Sequence, residues 1–126
     1  MKPNVLPAYR QIAVQGASPV GLVVMLYDSA LTSLYRAMRA IDAGDVEART
    51  EHLNRALDVV GQLQGSLDLG RGGATARCLS DFYAVARAKM LEAGIANSKE
   101  ILTELAVHFA SVRDAWREVD ARAILQ

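Results

Sequence analysis

Two histidines, one cysteine and a glycine-rich stretch are the residues whose types could carry chemistry, and their spacing decides whether they do. His52 and His108 fall on separate predicted helices. Neither stands in the Glu-x-x-His spacing that builds a di-iron site in a helical bundle, and no His-Glu-x-x-His occurs. Glu104 and His108 are four apart on one helix face, the spacing of a solvated pair. Cys78 has only Arg77 as a basic helper nearby in sequence, so an inert, mostly buried thiol is expected. Gly70-Arg-Gly-Gly73 follows a helix rather than a strand and lacks the Lys-Ser or Lys-Thr of a phosphate loop, so it reads as a turn or hinge. No metal, cofactor or catalytic constellation is expected, and the chain reads as a non-enzyme.

Composition narrows the field further. A chain of 126 residues, 52% apolar and 22% charged, is one domain able to bury a single good core. Fourteen basic residues balance fourteen acidic ones, which leaves no electrostatic footprint for nucleic acid. The longest apolar run, Leu22 to Tyr27, is far short of the ~20 residues that span a membrane, so no membrane insertion is expected. The N-terminus lacks the apolar core of a signal peptide, and a lone cysteine makes no internal disulfide. A cytoplasmic location is the expectation.

The elements that would position a binding surface are helices. Ser18 as N-cap and Pro19 at the first helical position start one that runs to about Ile41. Its second half carries a stripe of Leu31, Leu34, Tyr35, Met38 and Ile41, whereas Val20 to Tyr27 is apolar almost all round. A helix apolar all round must be covered on more than one side. Val20, Val24, Tyr27 and Leu31 can face one core, which leaves Leu22, Met25 and Leu26 for another helix, the tail or a second protein. Gly44 and Asp45 make the turn into a second helix, from about Val46 to Leu67 with the stripe Val46, Leu53, Leu57, Val60, Leu63 and Leu67. Gly61 and Gly65 weaken it on one face and mark either a close approach or simple tolerance. A third helix is expected from Ala74 or Thr75 to about Ala93, ended by Gly94, with Leu79, Phe82, Tyr83, Ala86 and Met90 inward. Asn97 or Ser98 caps the fourth, whose seam is Leu105, Phe109, Val112, Trp116 and Val119. Four rods of similar length joined by short links give an all-α, antiparallel up-and-down four-helix bundle over residues 17–126. Residues 1–16, with Pro3 and Pro7, form an extended N-terminal tail whose Leu6, Tyr9 and Ile12 are apolar enough to dock in a groove.

Several phrases go beyond periodicity. Tyr9 is followed by Ala17-Ser-Pro19, Leu22 and Met25-Leu-Tyr-Asp28. Gly72-Gly73, Leu79 with Phe82-Tyr83, Leu91-Glu-Ala93 and Arg113-Asp-Ala-Trp116 come after, in that order over nearly the whole chain. In this the sequence resembles the flagellar secretion chaperones of the FliS type. It departs where the family's Met-Leu-Tyr-Asp-Gly-Ala reads Met25-Leu-Tyr-Asp-Ser29-Ala30, where Leu-Tyr is Phe82-Tyr83, and where Ala-Asn is Ala93-Gly94. The resemblance implies a cytoplasmic bundle that binds the C-terminal segment of newly made flagellin, keeps it from polymerising early and, through the complex, meets the flagellar export apparatus. Such binding would couple folding of a disordered segment to its docking in apolar grooves. Leu6, Tyr9, Ile12, Leu22, Met25, Leu26, Ser29, Phe82 and Tyr83 are the expected contacts. The tail is expected to lie near Leu22, Met25 and Ser29 until the client arrives. A helical adaptor that dimerises through the apolar first helix, with no flagellin client, is the competing reading, and a homodimer of the empty protein stays open.

Overall fold

The computed structural model describes residues 19–125, with side chains described through residue 119. Four helices account for them: α1 (Pro19–Asp42), α2 (Val46–Gly65), α3 (Leu69–Ala96) and α4 (Lys99–Leu125). The links between them are two or three residues long, so successive helices run antiparallel. α1 packs against α2 and α4, and α3 completes the ring by packing against the same two. The protein is thus an all-α up-and-down bundle.

The turns follow from the residues that make them. Gly44, at φ 68°, supplies the left-handed step after α1, and the Asp45 carboxylate accepts from the Ala48 N–H at 3.0 Å to cap α2. Asn97 closes α3 at φ 52°, with its N–H on the Ala93 carbonyl. The Ser98 hydroxyl then accepts from the Ile101 N–H at 3.3 Å, so Ser98 and not Asn97 caps α4. At this end Lys99 pairs with Asp42 at 2.7 Å, and Arg49 donates to the Asn97 side chain at 2.7 Å.

The core contains most of the residues that the stripes predict, but Tyr35 is exposed and Val23 rather than Val24 is the fully buried residue of its turn. Tyr27, Leu31, Leu53, Leu105, Phe109 and Trp116 are all buried, as are Val20 and Val23. Some boundaries differ from the expectation. α2 stops at Gly65, leaving Leu67 in the link, and Val46 is exposed at the tip of α2. α3 starts five residues before Ala74, because Asp68 accepts from the Arg71 N–H at 3.0 Å and nucleates a turn over Leu69–Gly72. The break survives as a single kink, at Gly73. Gly94 does not end α3. A side chain there would meet Leu53 Cδ1 at 3.4 Å, so this glycine lets α2 come close instead. Cys78 is exposed rather than buried, because the inward positions of α3 are Ala76, Tyr83, Ala86, Met90 and Ala93, and Cys78 falls off that line.

Candidate functional site

At the centre of the bundle the motif residues meet one another rather than solvent. The Tyr27 and Tyr83 hydroxyls share a hydrogen bond of 2.6 Å in a fully buried setting. The Tyr27 ring packs 5.5 Å from Phe109, and Phe82 lies 5.1 Å from Phe109 and 5.6 Å from Tyr83, all tilted, the arrangement that aromatic quadrupoles favour. Burial pushes the Tyr27 phenol up to about 12, against the opposing pull of hydrogen bonds with Tyr83 and Trp116. Tyr27 is therefore a neutral hydrogen-bonding group that fixes α1 to α3 and α4.

One residue on, Asp28 ties the outer α1–α4 seam. Arg113 donates to it at 3.1 Å and Arg117 reaches both its oxygens at 3.3 Å, while Arg113 also meets Asp114. The Tyr-Asp of the first helix and the Arg-Asp-Ala-Trp of the fourth, far apart in sequence, thus form one joint.

Partner-accessible apolar surface lies elsewhere. Of the expected contacts, Met25 is exposed at 64%, Leu22 and Leu26 are half-buried, and Ser29 is exposed. Ser29 lines the α1–α2 seam with Thr32, Arg36, Arg55 and Asp58. Phe82 is half-buried where α3 meets α4, and Tyr83 is a core residue with no exposed surface. Leu22, Met25, Leu26 and Ser29 thus follow at three- and four-residue spacing on one side of α1, whereas Tyr83 offers no surface to a partner. Leu6, Tyr9 and Ile12 lie outside the described residues.

The sequence reading missed a stripe on α3. Ala84, Ala88, Leu91 and Ile95 are spaced four, three and four apart, which puts them on one helix face, and all are exposed. Ile95 is 90% exposed. The lower part of this stripe borders a groove of about 590 Å³ against α2, lined by Leu57, Asn54, Asp58, Gln64 and Arg87 as well. Gly61 is not needed for a close approach, because a side chain there would meet only the Arg87 guanidinium at 4.0 Å. Gln64 bridges the two walls, accepting from Arg87 at 3.3 Å and donating to the Ser80 carbonyl at 3.2 Å. The 4-3-4 spacing was the available signal, hidden because the same helix carries its core stripe on small residues. A second groove, about 560 Å³, lies between α1 and α4 over Met38, with Tyr35 and Val107 on its rim.

Polar chemistry is sparse among the described residues. His108 and Glu104 are exposed with no ion pair between them, and His52 is half-buried with an unpartnered Nδ1. No group of three His, Cys, Asp or Glu side chains among them could hold a metal ion. No helix is long and apolar enough to cross a membrane among the described residues.

Comparison with known proteins agrees in one direction. The family profile described as "Flagellar protein FliS" matches residues 2–123. The flagellar secretion chaperone FliS of Salmonella typhimurium is 32% identical over 126 residues, covering 96% of this chain and 93% of that protein. The protein of the same name in Bacillus subtilis is 29% identical, covering 91% and 85%, and that of Campylobacter jejuni 31%, covering 89% and 88%.

Proposed function

This chain belongs to the FliS family of flagellar proteins, and we propose that it is an export chaperone for flagellin. In this reading it binds the C-terminal segment of newly made flagellin in the cytoplasm, prevents premature polymerisation and assists delivery to the flagellar export apparatus. The observation that carries the reading is the family membership joined to an outer surface rich in unpartnered apolar side chains. Met25 on α1, Val85, Leu91 and Ile95 on α3, and Val107 on α4 are all more than half exposed on a bundle whose own core is closed.

The energetics suit a disordered client. Ordering each backbone residue costs about 1–2 kcal/mol, and burying one large apolar side chain returns about 1.5–3 kcal/mol. For a segment with one apolar contact every second or third residue these two terms nearly cancel or leave a small net cost, so binding rests on adding contacts along several helices and the client can be released. Exposed apolar residues sit on all four helices, Val46 at the tip of α2 included, so a segment that reaches several of them would wrap the bundle. The tail segment bearing Leu6, Tyr9 and Ile12 is proposed to cover part of this surface until the client displaces it.

The test is seeded flagellin polymerisation in the presence of the purified chain. The reading predicts that growth stops at one chaperone per flagellin and resumes when the flagellin C-terminus is supplied as a competing peptide. Unchanged polymerisation would favour the adaptor reading, in which the chain has no flagellin client.

A further inference from the structure

We propose that the α2–α3 connection is a hinge through which two copies of this chain exchange halves, with α1–α2 of one packing on α3–α4 of the other. The backbone of the connection carries the inference. Ser66, at φ −90° and ψ −4°, is already in the right-handed helical region, and Leu69–Gly72 are helical too. The reversal of the chain therefore rests on Leu67, on Asp68 at φ −96° and ψ 91°, and on Gly73 at φ 55° and ψ −134°. The Gly73 conformation is one that a residue with a Cβ rarely adopts. A side chain there would meet nothing within 4 Å, so its penalty would come from the backbone alone.

Turning those three residues helical would join α2 and α3 into one rod from Val46 to Ala96, about 76 Å long at ~1.5 Å per residue. A half held on such a rod cannot fold back on its own other half. Its seams are completed only by a second copy, through the same contacts: Asp28 with Arg113, Tyr27 with Tyr83, Asp42 with Lys99, and Gln64 with Arg87. No new interface has to be invented, which is why exchange through a short hinge is a low-cost route to a dimer. The pairs kept within each half, α1 with α2 and α3 with α4, are joined by their own short turns at the opposite end of the bundle. The inference does not depend on flagellin being the client.

The experiment uses the full chain and two readouts. Light scattering after size exclusion gives the monomer–dimer balance over a concentration series. Carbodiimide coupling of Asp42 to Lys99, 2.7 Å apart, then tells which dimer it is. An exchanged dimer places the two residues on different copies and yields covalent dimers in denaturing gels, whereas a surface dimer yields only internal links. Gly73→Ala strains the closed connection in each copy by about tenfold in equilibrium terms, so the dimerisation constant should rise about a hundredfold. Asp68→Ala, which removes the α3 cap, should shift the balance the same way by a smaller factor, and serves if Gly73→Ala does not fold. Inserting Gly-Ser residues after Leu67 should return the protein to monomer, because a longer loop relieves the hinge. Folded variants that stay as monomeric as the parent, or dimers whose Asp42–Lys99 links are all internal, would overturn the proposal.

Discussion

α1 and α3 lie across the bundle from each other and are built on opposite plans. α1 buries ten of its 24 residues, among them Val20, Tyr27, Leu31, Leu34 and Met38, so large side chains hold it from both sides. α3 buries five of its 28, and three of those are the alanines Ala76, Ala86 and Ala93. Small inward residues seal little area, and α3 packs less closely on its neighbours than α1 does, while its outer stripe leaves Leu91 and Ile95 in solvent. Stability is concentrated in the helix whose apolar run is continuous. α3 carries more of the exposed apolar surface, with Val85, Leu91 and Ile95 against Met25 on α1, and the non-helical Gly73 interrupts it.

The comparison breaks first at the aromatic centre. Tyr27→Ala should cost about 3–5 kcal/mol in urea unfolding, the range for a large aromatic lost from a packed core. Leu91→Ala on α3 should move the same curve by no more than about 0.5 kcal/mol. Similar losses at the two positions would mean that the bundle has no such asymmetry.

The next effect is on pH. The Tyr27 phenol titrates near 12 when folded and at 10 when exposed, so the folded state holds its proton more tightly. Its contribution is fully present below pH 10 and is lost as the pH rises towards 12, about 2–3 kcal/mol over that window. Tyr27→Phe should flatten the loss between pH 10 and 12 relative to the parent, measured by denaturant midpoints. An unchanged slope would place the alkaline transition at another group.

Smaller again is the hydroxyl pair. Tyr83→Phe leaves the Tyr27 hydroxyl without that partner and should cost about 1–3 kcal/mol, whereas Tyr27→Phe with Tyr83→Phe should cost less than the sum of the two singles. Additive losses would show that the 2.6 Å contact is not a coupled bond. The Asp28 joint should matter least. Its carboxylate and Arg117 are half open to solvent, so Asp28→Asn should cost under about 1 kcal/mol and lose its effect in high salt.

Much of this asymmetry was written in the chain. The α1 run from Val20 to Tyr27 announced a helix needing cover on several sides, and the Leu105, Phe109, Trp116 seam placed α4. Pro19 marked the start of α1 and Gly44-Asp45 that of α2, the latter by capping chemistry that acts over three or four residues, while the expected Ser18 cap lies outside the described residues. What the sequence hid depends on longer range. Tyr83 stood on the predicted inward line of α3, yet nothing local signalled its hydroxyl partner, which is 56 residues away. Gly94 looked like a stop signal, yet its missing side chain serves Leu53 on another helix. Cys78 was misplaced because alanines carry the α3 core line, and alanine gives a weak hydrophobic period. The same weakness concealed the Ala84, Ala88, Leu91 and Ile95 stripe.

The central claim, that this bundle is a flagellin chaperone whose client lies across exposed apolar residues of α3, meets its most direct test in a calorimetric titration with the flagellin C-terminal segment. The account predicts a one-to-one complex with a negative heat-capacity change, weakened about tenfold or more by Leu91→Ser with Ile95→Ser and unaffected in its folding by that pair. No heat of binding with the parent chain, or full affinity in the doubly substituted one, would contradict it.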